Sequence, residues 1–223
     1  YGLIKHNGPI RDLSLIKKLI GLKNLKKKIN FDKSPSLEAQ ISSISDDIAY
    51  NNHDIQDGIR AKMFNLNDLI EINFFRDIYK SHKKNIKKKN QEILIYQIIR
   101  DSIDLMVRDL IKNTISNIKK KKIESLKSIF IYKSPLVCFS EKFCKIEEDI
   151  RFFLRSKMYN NKKVLIKNNN GKKIIKRLFL SINKKPEKFL AKGELRIDKH
   201  RAIADYISGM TDRYAIKLYN NLR

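Results

Sequence analysis

The stretch SLEAQISSISDDIAYNNHDIQDG, residues 36–58, decides the fold because its pattern is that of one long amphipathic helix. Ser36 is a typical N-cap, Glu38 places a carboxylate in the first turn, and Gly58 is a natural helix stop. At about 100° per residue the larger aliphatic side chains fall on one stripe, which we expect to be core. That stripe consists of Leu37, Ile41, Ile44, Ile48 and Ile55. The sequence therefore predicts a helix from Leu37 to about Asp57.

The side of this helix opposite the stripe carries acidic, aromatic and small residues. Asp46, Tyr50 and Asp54 follow one another at intervals of four, so they rise along neighbouring turns of one face. Solvated faces elsewhere in this chain are mostly Lys with Glu, which makes this composition unusual here. Two carboxylates beside a tyrosine hydroxyl suit a metal ion together with a sugar hydroxyl. A polar face with an accidental acidic cluster is the alternative interpretation.

Helical spacing continues through most of the remaining chain, and only 7 Gly and 4 Pro interrupt its 223 residues. So few helix breakers favour an all-α protein over an all-β protein. Further helices are predicted over 64–80, 91–117, 141–160, 171–182 and 197–222. The last of these has an apolar stripe of Ile203, Ile207, Met210 and Tyr214, and Ser208-Gly209 permits close helix packing. The exception is Ile129-Phe130-Ile131-Tyr132, a β-capable stretch that allows a short β-hairpin near 129–140.

The charge balance is strongly basic, with 49 Lys+Arg against 24 Asp+Glu and a net charge of +25. This excess predicts a polyanionic partner, which is a nucleic acid, a phosphorylated ligand or an acidic membrane surface. Because A/T-rich codons encode Lys, Ile and Asn, compositional drift is the alternative explanation. The lysine runs at 83–89 and 119–122 are most simply solvated loops. One functional hypothesis for the whole chain is therefore a non-catalytic, basic helical protein that binds single-stranded nucleic acid.

The remaining composition excludes several classes of protein. Cys138 and Cys144 are too few for a disulfide framework, and no Cys/His set has zinc-finger spacing, so we expect reduced thiols. No run approaches the 18 apolar residues of a membrane span, and Tyr1-Gly2-Leu3 is neither a signal peptide nor an initiator Met. We therefore expect a cytoplasmic protein without a membrane partner, whose natural chain continues before Tyr1.

Two further segments accompany the helix at 36–58: KHNGP at Lys5–Pro9 and ADYISGMTDRYA at Ala204–Ala215. Together the three resemble the deoxyguanosine triphosphate triphosphohydrolase family, a branch of the HD-domain superfamily. A weaker match is FFLRSKMYNNKKV at Phe152–Val164, where family members tend to carry Arg and His around the Met-Tyr pair. The resemblance implies an all-α, HD-domain-like helical bundle, of which this chain is the C-terminal part.

The organisation and activity of the protein follow from the same resemblance. It implies that residues 1–82 are the C-terminal part of the catalytic domain and that 83–223 are a C-terminal helical region. The implied reaction is metal-dependent hydrolysis of deoxynucleoside triphosphates, typified by dGTP, to deoxynucleoside and inorganic triphosphate. The implied cofactor is Mg²⁺ or Mn²⁺, and the implied partners are the nucleotide and other copies of the chain in a homo-oligomer.

The roles of three residues on the first helix are implied by the family pattern. Asp46 matches one metal ligand, and Asp54 matches the residue that accepts a hydrogen bond from the 3′-hydroxyl. Tyr50 matches the residue that packs against the deoxyribose and leaves no room for a 2′-hydroxyl. His53-Asp54 is not the His-Asp pair of the superfamily, because that pair precedes Asp46.

The other residues of the catalytic centre lie N-terminal to the KHNGP motif in the family. They comprise an early His, the His-Asp pair, and a His and a Glu thought to assist proton transfer. We therefore expect the catalytic residues upstream of Tyr1, with only one of four metal ligands in this chain. A single carboxylate does not hold such a metal tightly, so an inactive or subunit-associating fragment is a third hypothesis.

Cations near the weaker motif are the candidates for neutralising the triphosphate. Lys157 is the first candidate, and Arg151 and Arg155 are alternatives by position. Arg213, in the C-terminal motif, is a further candidate for contacting a phosphate or a neighbouring subunit. A salt bridge to a nearby carboxylate is the alternative role for Arg213.

Overall fold

The structure is a computed structural model that describes residues 8, 14, 33–83, 91–195 and 198–222. Within these residues every regular element is helical and no strand occurs, so the all-α prediction is confirmed. The chain divides into two compact units, of which the first ends at Met158 and the second begins at Tyr159. The organisation into 1–82 and 83–223 stays a prediction. The KHNGP motif lies outside the described residues except for Gly8, which has the positive φ of 109° typical of a turn.

The first unit is a set of α-helices followed by a π-helix at Arg155–Tyr159, whose last residue begins the second unit. Its α-helices are α1 (Leu37–Arg60), α2 (Leu66–Leu69), α3 (Asn73–Lys83), α4 (Gln91–Lys120), α5 (Leu126–Ile131) and α6 (Glu141–Leu154). Helix α1 begins where the sequence predicts, because the Ser36 hydroxyl accepts a hydrogen bond from the Ala39 N–H. Hydrogen bonds from its own backbone N–H and from Ser36 hold the pKa of the Glu38 carboxyl below its usual range.

Helix α1 packs mainly on α4 and also on α6. Ile48 and Ile55 of the predicted stripe are buried, but Ile41 is 46% exposed. The prediction of a core position is therefore wrong at Ile41. The first turns of α1 are anchored on a different side, where Ala39 and Gln40 are buried.

The β-hairpin prediction near 129–140 is wrong, because the start of this stretch forms helix α5 and no described residue is in a strand. A capping box between Ser125 and Ser128 starts the helix, with each side chain bonded to the backbone N–H of the other residue. Further along, the N–H groups of Leu136 and Val137 donate to the Gln40 side chain instead of to a neighbouring strand.

The second unit is built around α7 (Lys162–Lys184), which packs on α9 and α10. The other helices are a 3₁₀ turn (Pro186–Lys188), α8 (Lys192–Leu195), α9 (Lys199–Ser208) and α10 (Asp212–Asn221). The core of this unit consists of Leu178, Ile182, Leu190 and Ile203. Burial of these aliphatic side chains is the main favourable term in its stability.

The C-terminal segment forms two helices rather than the single predicted one. The chain leaves α9 at Gly209, and Thr211 starts α10 by accepting a hydrogen bond from the Tyr214 N–H at 3.3 Å. Ile203 is fully buried and Ile207 and Met210 pack against it, as the stripe predicts. Tyr214 is 47% exposed, so its assignment to the core is wrong, because it follows the break and lies on α10. Gly209 ends a helix and does not mediate close packing, since a Cβ there would meet only ordinary contacts.

Two predictions from composition are testable within the described residues. Both cysteines are free thiols, which agrees with the expectation of reduced side chains. In the described ranges, no helix combines the length and the apolar character needed to cross a bilayer.

Candidate functional site

The candidate site residues of α1 lie on the side of the helix opposite Ile48 and Ile55, a side that also holds the buried Ala39 in the first turn. Asp46 and Tyr50 are exposed, Tyr50 by 58%, and Asp54 is half-buried. Helix geometry places the three within an arc of about 80°, opposite Ile48 and Ile55, with about 6 Å of rise between neighbours. The structure thus brings these three residues to one face, while their roles in binding stay predictions.

The surroundings of Asp46 bear on whether this face holds a metal. Within the part of the chain that the structure describes, no three His, Cys, Asp or Glu side chains come close enough to hold a metal ion. Mg²⁺ and Mn²⁺ require several oxygen or nitrogen ligands. The described residues around Asp46 therefore do not fit a complete metal site by themselves.

The neighbouring carboxylate, Asp47, has a different environment. Its Oδ2 accepts a hydrogen bond from Nη2 of Arg151 at 3.3 Å, which links α1 to α6. Arg151 also pairs with Glu147 on its own helix. Burial raises the pKa of the Glu147 carboxyl, although the Arg151 guanidinium opposes this shift. Arg151, an alternative phosphate candidate, is therefore already engaged with two carboxylates.

Lys157, the first phosphate candidate, lies in the π-helix and is also paired. Its Nζ donates to Oδ1 of Asp68 at 2.9 Å, and this bond raises the pKa of Lys157. Hydrogen bonds from the Asn65 backbone N–H and from Lys157 lower the pKa of the Asp68 carboxyl. The two other cations, Arg155 of the π-helix and Arg213 of α10, are both exposed. Lys157 and Arg213 belong to different compact units.

A residue that sequence reasoning missed is Gln40, which is buried in the second turn of α1. Its Nε2 donates to the carbonyl of Pro35 at 3.0 Å. Its Oε1 accepts hydrogen bonds from the N–H groups of Leu136 and Val137 at 2.8 and 3.1 Å. One side chain therefore ties the start of α1 to a segment 96 residues later in the chain. The only sequence signal is an uncharged amide beside the apolar stripe.

Side chains of α4 hold the same segment, residues 136–140. Nδ2 of Asn117 donates to the Leu136 carbonyl at 3.1 Å, and Nδ2 of Asn113 donates to the carbonyls of residues 138 and 139. The Asp109 carboxylate accepts from both the N–H and the hydroxyl of Ser140, at 2.8 and 2.7 Å. This extended segment therefore satisfies its backbone groups with side chains instead of with a strand.

Three cavities of the first unit are lined by described residues. One of about 350 Å³ borders Asp47 and Gln40 at the start of α1. A second, of about 630 Å³, lies beside Phe64, Asp68 and the beginning of α4. A third, of about 590 Å³, lies between α3, α4 and α6. None of these three is lined by Asp46, Tyr50 or Asp54.

Comparison with known proteins gives concordant matches over nearly the whole chain. Residues 137–221 match the family model of the phosphohydrolase-associated domain. A deoxyguanosinetriphosphate triphosphohydrolase-like protein of Pelagibacter ubique (strain HTCC1062) is 73% identical over 217 residues, which cover 97% of this chain and 58% of that protein.

More distant relatives carry the same name. The protein of Rickettsia typhi is 35% identical and that of Leptospira interrogans is 37% identical, each over 227 residues and 99% of this chain. The chain spans 59% and 57% of the lengths of these two proteins. The resemblance to the deoxyguanosine triphosphate triphosphohydrolase family is therefore confirmed.

Proposed function

We propose that the complete natural protein hydrolyses deoxynucleoside triphosphates, with dGTP as the reference substrate, to deoxynucleoside and inorganic triphosphate. The observation that carries this proposal is the face of α1 on which Asp46, Tyr50 and Asp54 stand together, away from the packed side of the helix. The names of the similar proteins, all triphosphohydrolase-like, support the same reaction class.

Each of the three side chains has a chemically suitable role in this proposal. Asp46 is one ligand of a divalent metal, Mg²⁺ or Mn²⁺, whose other ligands lie outside the described residues. The exposed ring of Tyr50 packs against the deoxyribose and excludes a 2′-hydroxyl. The carboxylate of Asp54 accepts a hydrogen bond from the 3′-hydroxyl, since an ionised carboxylate only accepts.

The triphosphate needs cations, and Lys157 of the first unit is the proposed one; a phosphate contact by Arg213 of the second unit stays a separate prediction. Arg213 is exposed on α10, where its guanidinium is suited to bidentate contact with a phosphate. The ammonium of Lys157 is bound to Asp68 and is 40% exposed. It would contact a phosphate by exchanging that carboxylate for a phosphate oxygen.

The test of this proposal compares two adjacent carboxylates on α1. Asp46→Ala in the complete natural protein is expected to reduce release of triphosphate from dGTP at least about 100-fold, because loss of a metal ligand costs more than loss of its hydrogen-bonded supports. Asp47→Ala removes the same kind of side chain one residue away and is expected to keep most of the activity. Chromatographic detection of triphosphate, with Mg²⁺ or Mn²⁺ supplied, measures both variants.

Three results would contradict the proposal. Full activity in Asp46→Ala would remove this residue from the site. Equal losses of triphosphate release in both variants, with unchanged thermal unfolding, would show that activity depends on the negative charge of α1 in general. It would then not depend on the particular face that carries Asp46. Failure of the unmodified complete protein to release triphosphate from any deoxynucleotide would exclude the reaction itself.

A further inference from the structure

The cavity beside the end of α1 is the largest of the three described above, at about 630 Å³. This volume lies within the range that is usual for small-molecule sites. Its lining comes from the last turns of α1, from the residues that lead into α2, and from the beginning of α4. None of Asp46, Tyr50 and Asp54 borders it, so the reaction proposed above gives this cavity no role.

The end of α1 shapes one wall of the cavity through the two hydrogen bonds that terminate the helix. The N–H of Met63 donates to the carbonyl of Gly58 at 2.9 Å, and the N–H of Lys62 donates to the carbonyl of Ile59 at 3.0 Å. This is the Schellman arrangement, in which Lys62 takes the left-handed conformation with a φ of 54°. The reversal of the chain places Lys62 and Met63 at the cavity beside Ile59 and Arg60.

The lining of the cavity includes two aromatic rings. A Cβ at Gly58 would meet ring atoms of Phe64 at 2.3 Å, so only glycine lets this ring lie so close to α1. The Phe64 ring is 5% exposed and also packs edge to face on Phe153, with the ring centroids 4.8 Å apart. Tyr96 of α4 borders the same cavity and is 50% exposed. An apolar ligand therefore has one fixed ring and one accessible ring to pack against.

Four charged side chains border the cavity, and one of them is already neutralised. Asp68 accepts a hydrogen bond from Nζ of Lys157 at 2.9 Å. Within the described ranges, Arg60, Lys62 and Glu92 take part in none of the ion pairs. Two unpaired cations and one unpaired carboxylate leave a single net positive charge at the cavity.

We infer that this cavity binds an organic monoanion with an apolar body, of the arylcarboxylate or alkylcarboxylate class. The guanidinium of Arg60 suits the carboxylate group, because its planar fork matches two oxygens, and the ammonium of Lys62 adds a second donor. The apolar body packs on the rings of Phe64 and Tyr96. A mostly apolar lining with a few polar groups to fix orientation is the usual chemistry of a small-molecule site.

A nucleoside triphosphate fits this cavity less well than a monoanion does. Its triphosphate carries several negative charges and requires more cations than the two that are unpaired here. The carboxylates of Asp68 and Glu92 border the same cavity and repel a polyphosphate. An apolar monoanion requires only one net positive charge, which is what the lining supplies.

The experiment measures binding of naphthaleneacetate to the full 223-residue chain by isothermal titration calorimetry. A chelator is present throughout, so failure of the proposed metal-dependent hydrolysis would not affect the outcome. The test variant is Lys62→Gly, which removes the ammonium and keeps the left-handed conformation, because glycine is the residue favoured there. The uncharged naphthaleneacetamide is the matched control for the ligand.

The matched control for the protein is Lys122→Gly. Lys122 has a φ of 50° at the end of α4. The N–H of Ile123 donates to the carbonyl of Ile118, and the N–H of Lys122 donates to the carbonyl of Lys119, so the local backbone is the same as at Lys62. Lys122 borders none of the three cavities. The control therefore makes the same substitution in the same conformation away from the site.

Naphthaleneacetate is expected to bind the unmodified chain with a Kd below about 1 mM. Lys62→Gly is expected to weaken this binding about tenfold, because it removes one charge-assisted hydrogen bond, and Lys122→Gly is expected to leave it unchanged. The amide is expected to bind the unmodified chain about tenfold more weakly than the acid. Tyr96→Ser is expected to weaken binding of the acid and the amide alike, since it removes a contact with the apolar body. Thermal unfolding establishes that all variants fold.

Four results would overturn the inference. Absence of binding at about 10 mM naphthaleneacetate would exclude this class of ligand. Equal affinities of Lys62→Gly and Lys122→Gly would remove Lys62 from the site. Equal affinities for the acid and the amide would show that the anion is not recognised. Tighter binding of dGTP than of naphthaleneacetate, weakened by Lys62→Gly, would assign the cavity to a polyphosphate.

Discussion

Helices α1 and α7 have nearly the same length, 24 and 23 residues, and opposite surfaces. In each, a strip about 80° wide lies opposite the packed side. The strip of α1 carries the carboxylates of Asp46, Asp54 and Asp57 together with Tyr50, whereas the strip of α7 carries four lysines, at positions 162, 173, 176 and 184. Helix α1 contains no lysine at all in a chain of net charge +25. Drift toward A/T-rich codons would add lysine to both helices. Because α1 has no lysine and α7 has seven, codon drift alone does not explain how the positive charge is distributed.

The packed sides of the two helices differ as well. The packed side of α7 is aliphatic, with Leu178 and Ile182 fully buried. The packed side of α1 includes the buried amides Asn51 and Asn52, and the anchor of its first turns is Gln40. The Asn51 Nδ2 and the Asn52 Oδ1 have no hydrogen-bond partner among the residues that the structure describes. Hydrophobic burial therefore places α7, whereas directional hydrogen bonds contribute to placing α1.

The largest effect on stability is expected from a substitution on the aliphatic packed side of α7. Leu178→Ala removes a fully buried side chain and is expected to lower the free energy of unfolding by about 2–5 kcal/mol. Leu180→Ala, two residues along the same helix, removes a side chain that is 52% exposed and is expected to change it by about 0.5 kcal/mol or less. Urea unfolding measures both. Similar losses in the two variants would show that α7 does not pack through the side that contains Leu178.

A smaller effect is expected at the polar anchor of α1. Gln40→Ala leaves the N–H groups of Leu136 and Val137 without their acceptor and is expected to cost about 2 kcal/mol. Gln56→Ala, a half-buried glutamine of the same helix, is the control and is expected to cost less than half as much. Hydrogen exchange at Leu136 and Val137 is an independent measurement, since it should accelerate only in Gln40→Ala. Unchanged protection there would refute the anchoring role of Gln40.

The smallest effect concerns Lys157, the phosphate candidate that lies on neither helix. The pKa of Asp68 is lower in the folded protein than in the unfolded chain, so its bonds stabilise the fold above about pH 4. This contribution is lost as the pH falls through the lowered folded value. Asp68→Asn is therefore expected to weaken the acid dependence of stability below about pH 4, by less than the cost of Gln40→Ala. Urea unfolding at several pH values measures this acid dependence, and Asp57→Asn, at an exposed position, is the control. The same acid dependence of stability in both variants would contradict the stabilising role of the bonds to Asp68.

The elements that the sequence predicts correctly are those whose ends depend on neighbouring residues. Helix α1 was predicted from Leu37 because its N-cap, Ser36, acts on the adjacent turn. The predicted hairpin near 129–140 is wrong for two reasons. A capping box at Ser125 starts a helix through residues 129–131, and side chains of Gln40 and Asn117, distant in sequence, satisfy the backbone of Leu136. The break between α9 and α10 was missed although Thr211 is an ordinary N-cap residue.

The candidate site likewise has one part that local sequence predicts and one part that depends on residues distant in sequence. Spacing alone predicts that Asp46, Tyr50 and Asp54 share one face, because a helix fixes the direction of every fourth residue. The pairing of Lys157 with Asp68 joins residues 89 positions apart and has no local signal.

The hydrogen bonds of Gln40 also determine when α1 is completed during protein synthesis. The Gln40 side chain cannot accept these hydrogen bonds until Leu136 and Val137 have been synthesised, which is 96 and 97 residues after Gln40 itself. At about 5–20 residues per second, the delay is about 5–20 s. During that interval the Oε1 of Gln40 has only water as a hydrogen-bond donor, whereas its Nε2 has the Pro35 carbonyl close by in sequence. The hydrogen bonds that anchor the start of α1 therefore form only after most of the first unit has been translated.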